Sequence, residues 1–371
     1  MPESNRWMVP FLDLSRQYAL IKGEMDEALL RVGARGSYIM GSELEDFQQR
    51  FAAYCGCARA AGVASGTDAI ALALKALNIG PGDEVITTPL TAVPTVMAII
   101  QAGATPVFAD IEEGGYGLDP AEAAKAAGPR TRALLPVHIF GECVEMDTLL
   151  DLAGRLGIAL VEDACQAHGA SWQGHPAGSL GAMGCFSFYP TKNLGAVGDA
   201  GMVTTGDESL YYRVCSLRDY GRSSRDTFSE PGWNSRLDEI QAAVLGVKLS
   251  HLDQWTARRK EIAGVYNQAF SGTDLFLPIE RPGRGHVYHL YVVSCDYRDD
   301  LASMLSSRGV QTHVHYPAPV HLQPALMHLG YARGDFPRAE AASARVLSLP
   351  LNPWMTDAET ELVANATRES L

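Results

Sequence analysis

Lys192 sits in the stretch Ser187-Phe188-Tyr189-Pro190-Thr191-Lys192-Asn193-Leu194-Gly195, between an apolar run and a glycine-rich turn. Aromatic and aliphatic neighbours strip water from an amine and make it easier to deprotonate. Asp163 lies 29 residues upstream, at the end of the apolar run Ile158–Asp163. An amine and an acid placed this way suit pyridoxal 5'-phosphate. The lysine would form a Schiff base with the cofactor, and the acid would pair with its pyridinium nitrogen. In bulk water a charge pair ~4 Å apart gains about 1 kcal/mol, but in a partly desolvated site the gain is nearer about 4 kcal/mol. The plain alternatives are a helix N-cap for Asp163 and a helix-end lysine for Lys192.

Other residues fit the same chemistry. Ser65-Gly66-Thr67-Asp68 closes a strand and opens a helix. Glycine lets an anion approach the backbone, and the free N–H groups of a helix start bind phosphate. Thr67 adds a hydroxyl, and Ser187, five residues before Lys192, can donate to the same phosphate. An ordinary N-cap is the alternative for this segment. Gln166, three residues beyond Asp163 on a helical turn, can reach the cofactor's phenolic oxygen. Nearby His168 reads first as a buried structural histidine.

The elements that must position these residues alternate in texture. Strand-like runs are Arg59–Val63, Glu84–Thr88, Ala104–Asp110, Arg132–His138, Ile158–Asp163, Met183–Tyr189 and Gly201–Thr205. Helical segments Thr67–Asn78, Val93–Ala102, Asp119–Ala127 and Met146–Leu156 lie between them. This alternation predicts an α/β fold with a mainly parallel seven-stranded sheet, covered on both faces, with chemistry at the strand ends. A long helical stretch follows over Asp238–Phe270, with Gly246 and Gly264 as points of interruption. The remainder holds strand-like His286–Cys295, a helix near Asp299–Arg308 and a Pro/His-rich segment His313–Pro324, a small α+β domain. The expected division is an N-terminal arm over 1–20, a large domain over 21–250 and a small C-terminal domain over 251–371.

The chain has 371 residues and a formal charge of −13. An acidic balance argues against sequence-independent nucleic-acid binding and against an anionic membrane surface. No window has the length or apolarity of a membrane span, and no signal-peptide pattern precedes the chain's first elements. Seven cysteines, an odd and scattered set, suit reduced thiols and a cytoplasmic protein. Cys55-Gly-Cys57 is a close pair with no second pair to complete a metal site.

Three motifs resemble one family. Val161-Glu162-Asp163-Ala164-Cys165-Gln166-Ala167-His168-Gly169-Ala170, the Ser187–Gly195 stretch, and Trp233-Asn234-Ser235-Arg236-Leu237-Asp238-Glu239-Ile240-Gln241 look like the DegT/DnrJ/StrS sugar aminotransferases. The likeness runs from Val9-Pro10-Phe11-Leu12-Asp13-Leu14 to His315-Tyr316-Pro317. The resemblance implies an aspartate-aminotransferase-like fold (PLP fold type I) and a homodimer with composite active sites. It also implies that Lys192 carries the cofactor, Asp163 serves the ring nitrogen, and Gln166 lies at the cofactor face. Gly66, Thr67 and Ser187 would hold the phosphate, and Asn234 would reach the phosphate of the neighbouring subunit. One departure stands out: Ala92 occupies the position where many members stack an aromatic residue on the ring, worth about 1 kcal/mol beyond its area.

By the same resemblance the substrates are L-glutamate and a nucleotide-linked keto-hexose. The Asn234-Ser235-Arg236-Leu237 run looks like members that aminate C3 of dTDP-3-keto-6-deoxyhexoses; the alternative is amination at C4. Arg218, Arg222, Arg225 and Arg236 are candidates for the diphosphate, since guanidinium forks suit phosphates. Tyr189, Tyr220, Arg222, His315 and Tyr316 are candidate substrate contacts. Rival readings are a zinc site on His313, His315 and His321, a dehydrating relative, which would carry histidine in place of Lys192, and a PLP-binding regulator without turnover.

Overall fold

The computed structural model describes residues 7–371; the first six residues of the expected arm lie outside the described residues. Seven strands form the main sheet: β1 (Arg59–Val63), β2 (Glu84–Thr87), β3 (Thr105–Phe108), β4 (Thr131–Leu134), β5 (Ala159–Asp163), β6 (Met183–Ser187) and β7 (Gly201–Thr205). Their spatial order is β1-β7-β6-β5-β4-β2-β3. β7 runs antiparallel to both its neighbours, and every other pair is parallel. The expected α/β sheet is therefore present, with one reversed strand.

Side chains alternate across this sheet, so each strand feeds two apolar layers. On β6, Phe186 joins Phe47, Phe51 and Phe188 on one face. Met183 and Cys185 join Ile70, Leu72 and Leu74 on the other. The helix Gly66–Ala76 is apolar nearly all round and correspondingly buried. Its N-terminus lies half-open at the carboxyl end of the parallel strands.

Several strands are shorter than their sequence runs: β2 stops at Thr87 rather than Thr88, β3 spans Thr105–Phe108 rather than Ala104–Asp110, and β5 starts at Ala159 rather than Ile158. β4 stops at Leu134 rather than His138, and β6 at Ser187 rather than Tyr189. Beyond these ends the pairing becomes irregular, with Val137 still bridging Asp163, and Val137 and Tyr189 become walls of the site. The stretch Asp238–Phe270 is two helices, Glu239–Leu249 and Leu252–Ala269, broken at Ser250-His251 and not at either glycine. Arg50 accounts for part of this: its Nη2 reaches Gly246 O and Ser250 Oγ, both at 2.9 Å, and holds the first helix where it ends. A helical glycine costs about 1 kcal/mol, which tertiary packing readily overrides.

The C-terminal part centres on β8 (Tyr291–Ser294) paired antiparallel with β9 (Val346–Leu349). Tyr266, Phe270, Tyr291, Leu301 and Leu305 fill its core. Only Tyr291–Ser294 of the expected strand His286–Cys295 pairs in this way; Arg284–Gly285 pairs instead with Ser171–Trp172. The described part of the arm docks here. Val9 bridges Val310, and Phe11 N–H donates to Gln311 Oε1 at 3.0 Å. Leu14–Leu20, expected within that arm, is a helix capped by Asp13. Among the described residues, no helix is long and apolar enough to cross a membrane.

Candidate active site

A cavity of about 360 Å³ opens at the carboxyl ends of the parallel strands. It is lined by Asp163 from β5, Ser187 from β6, Gly66 and Thr67 from the buried helix, and Lys192 from the turn after β6. Three remote stretches of sequence thus converge, as the switch from strand to helix in such sheets provides. Ala92, Gln166 and Tyr189 complete the expected residues on its wall.

Asp163 is 3 % exposed. Its Oδ1 accepts the Cys165 N–H at 3.1 Å, and its Oδ2 accepts the Thr95 hydroxyl at 2.7 Å. Thr95 in turn lies 2.8 Å from the Thr91 hydroxyl. A buried carboxylate is costly unless such donors satisfy it. Glu162, its neighbour on β5, points to the opposite face. It takes N–H groups from Gly178, Leu180 and Gly181 and pairs with His138 at 2.9 Å. Adjacent acids therefore have different work: Glu162 anchors a turn, and Asp163 faces the cavity.

Lys192 is half-buried, and desolvation pushes its ammonium below the usual lysine range against the opposing pull of Cys165 and Asp163. Its backbone N–H donates to Tyr189 O at 2.8 Å, which sets the turn. The phosphate-side wall is unusually close. A Cβ on Gly66 would lie 2.6 Å from Ser187 Cβ and 2.9 Å from Cys165 Sγ. Only glycine brings this helix start against β6. Ser65 caps the helix by accepting the Asp68 N–H at 3.1 Å, leaving earlier N–H groups for an anion.

Gln166 is held at both ends: Oε1 accepts the Phe140 N–H at 2.7 Å and Nε2 donates to Tyr316 OH at 3.0 Å. Tyr316 therefore stands behind Gln166, off the cavity wall, with burial pushing its phenol up to about 12. His315 lies in the neighbouring cavity, its Nδ1 2.8 Å from Ser348 Oγ. Tyr220, Arg222 and Asn234 are exposed and outside the cavity of this chain. Asp219 ties Arg236 and Arg222 at 3.2 and 3.1 Å.

Arg218 corrects the expected arginine cluster. It is buried, with Nη1 bonded to Gln48 Oε1 and Gly62 O, so it braces the core instead of meeting a ligand. Among the described residues, the histidines weighed as zinc ligands form no metal-binding group of three: His313 and His315 share a cavity wall, but His321 pairs with Glu340 at 3.2 Å and His315 bonds Ser348. Among the described residues, neither ring nitrogen of buried His168 has a hydrogen-bond partner, and desolvation with the Lys192 charge lowers it to about 3. Thr91, Thr95, Cys165 and Thr191 line the cavity as well, beyond the residues that sequence motifs pick out. The four-residue spacing of Thr91 and Thr95 at a helix start is the signal the sequence offers for two of them.

Pyridoxal phosphate needs a desolvated amine, an acid for the ring nitrogen and a close-fitting anion cradle, and these residues supply all three. The chain is thus a PLP-dependent enzyme of the aspartate-aminotransferase fold type. It belongs to the DegT/DnrJ/EryC1/StrS aminotransferase family, whose model matches residues 20–368. It is 46 % identical to a dTDP-3-amino-3,4,6-trideoxy-α-D-glucose transaminase of Streptomyces venezuelae, over 97 % of this chain and 96 % of that one. It is 40 % identical to a dTDP-3-amino-3,6-dideoxy-α-D-galactopyranose transaminase of Aneurinibacillus thermoaerophilus, over 97 % and 98 %. The crystal structure of S. venezuelae DesV superposes with a TM-score of 0.95 at 46 % identity, covering 97 % of this chain and 98 % of that one.

Proposed function

We propose that this chain transfers the amino group of L-glutamate to C3 of a dTDP-linked 3-keto-6-deoxyhexose. The observation that carries the reading is the convergence of Lys192, Asp163 and the Gly66–Ser187 cradle, in a chain whose relatives are named for C3 amines on dTDP sugars.

Pyridoxal phosphate supplies an aldehyde that accepts the amino group and a ring that withdraws electrons. Asp163 keeps the proton on the ring nitrogen, and its two protein donors hold it in that pose. Lys192 Nζ, its ammonium held below the usual lysine range by desolvation, would carry the proton from the donor's Cα to the cofactor in the first half-reaction and from the cofactor to C3 of the sugar in the second. Gly66, Thr67 and Ser187 hold the phosphate, and Gln166, locked by Phe140 and Tyr316, flanks the ring. Tyr189 meets the sugar on the open side.

The working unit in this reading is a homodimer. Asn234, exposed and not on the wall of its own cavity, reaches the phosphate in the second copy. Tyr220 and Arg222 then belong to the entrance shared by the two copies. Seven unpaired cysteines support a cytoplasmic location.

Incubation with glutamate and dTDP-3-keto or dTDP-4-keto sugars, followed by NMR of the product, tests the reading. A C3 amine is expected; exclusive C4 amination would overturn the regiochemistry. Lys192→Ala abolishes turnover in this scheme, and wild-type-like turnover in that variant would sink it.

A further inference from the structure

Beside the catalytic cavity lies a second one of about 560 Å³, and the two meet at Thr191. Its wall includes Arg259, His289, His313, His315 and Gln311. Arg259 is 4 % exposed, yet it has no acidic partner among the described residues. Its Nη1 is turned to three backbone carbonyls, Tyr288 O at 3.0 Å, His289 O at 3.5 Å and Leu351 O at 3.0 Å. Its Nε and Nη2 bond to no protein group among the described residues. Those two nitrogens form the side-on edge of the guanidinium. The same edge grips carboxylates elsewhere in this molecule: Arg31 holds Glu43 through it at 2.9 and 3.1 Å, and Arg281 holds Glu142 at 2.8 and 2.5 Å. A buried cation satisfied only by carbonyls calls for an anion.

Charge decides which anion. His315 is lowered to about 4 by burial, His313 and Lys192, and His289 lies well below its ordinary value. At neutral pH these rings offer hydrogen bonds without charge. Asp13, the acid on the wall, is engaged by the Ser15 N–H and hydroxyl and by Arg16 at 3.5 Å. One uncompensated cation with a planar two-donor edge matches a single carboxylate better than a multiply charged diphosphate.

We infer that this cavity seats the distal carboxylate of the amino donor, held side-on by Nε and Nη2 of Arg259; the assignment rests on the glutamate-dependent transamination proposed above. The cavity then selects a dicarboxylate amino acid over its neutral amide, and Arg259 is the residue that sets this choice.

The test follows the cofactor absorbance of the holoenzyme in single turnovers with L-glutamate and with L-glutamine. The wild type is expected to favour glutamate by roughly 100-fold, the worth of two charge-assisted hydrogen bonds. In Arg259→Gln that preference collapses to a few-fold, while the reaction with glutamine persists. A folded, cofactor-loaded Arg259→Gln enzyme that keeps the wild-type preference overturns the inference. Because Arg259 also braces three carbonyls, a second measurement uses the wild type alone. Glutarate is titrated into the holoenzyme by calorimetry, with and without saturating thymidine diphosphate. Glutarate binding that survives thymidine diphosphate supports the carboxylate pocket. No binding, or displacement by thymidine diphosphate, overturns it, and displacement assigns the pocket to the nucleotide. Glutarate binding requires no turnover, so bound glutarate together with inert amino donors would count against the transaminase reading and leave the pocket standing.

Discussion

The Thr95 hydroxyl donates to Asp163 Oδ2 across 2.7 Å, joining the start of the helix Val93–Gln101 to the end of β5. Both residues are almost wholly buried, so the bond is shielded from competing water. Thr95 fixes the carboxylate's rotation and shares its charge. Thr95→Val removes the donor at nearly constant volume. Cofactor dissociation, followed by fluorescence titration, is expected to weaken about tenfold, with Thr95→Ser restoring it. An unchanged dissociation constant in the valine variant would remove Thr95 from the site.

Gly66→Ala places a methyl group 2.6 Å from Ser187 Cβ, where strand and helix backbones both resist movement. Overpacking of this kind costs about 1–3 kcal/mol. The expected outcome is a lower melting temperature together with weaker cofactor binding, because the displaced wall is the phosphate cradle. A wild-type melting curve and wild-type cofactor affinity would contradict the close contact.

His168 gives the fold an acid-sensitive component. Burial lowers it to about 3, so between roughly pH 6.5 and 3 the unfolded chain binds a proton there that the folded chain does not. Stability from this group is complete above the unfolded value and is lost as pH falls through that window. Over it, one group contributes a slope of about 1.4 kcal/mol per pH unit. His168→Leu, which leaves no hydrogen-bond partner behind among the described residues, should flatten the pH dependence of denaturant unfolding by about that slope. An identical slope in the variant would show that His168 is already protonated or exposed.

Ala92 lines the cavity with a methyl group. Ala92→Phe supplies a ring in its place, and about 1 kcal/mol of stacking corresponds to cofactor binding roughly fivefold tighter. The same ring occupies space on the substrate side, so the KM for the nucleotide sugar should rise while glutamate kinetics hold. Equal effects on both substrates would show that Ala92 does not face the sugar.

Chemistry that depends on short runs is legible in the sequence. Lys192 between an apolar strand and a turn, Asp163 closing β5, and Ser65-Gly66-Thr67 opening a helix are local arrangements, dictated by period and by glycine. The seven strands are legible for the same reason, since alternation of strand and helix is a local texture. Arg218 shows the limit: in sequence it groups with Arg222, but Arg218 caps the end of a helix and braces the core, while Arg222, four residues on, starts an exposed strand.

Tertiary structure alone decides the contacts between distant segments. Thr95 meets Asp163 across 68 residues, and Gln166 meets Tyr316 across 150. The break at Ser250-His251, the placement of His315 beside the catalytic cavity rather than in it, and the unpaired edge of Arg259 belong to the same group. Each depends on how packed elements orient a side chain toward or away from a partner far along the chain. Residue type and local period set what a group can do; the packing of helices on the sheet sets which group it meets.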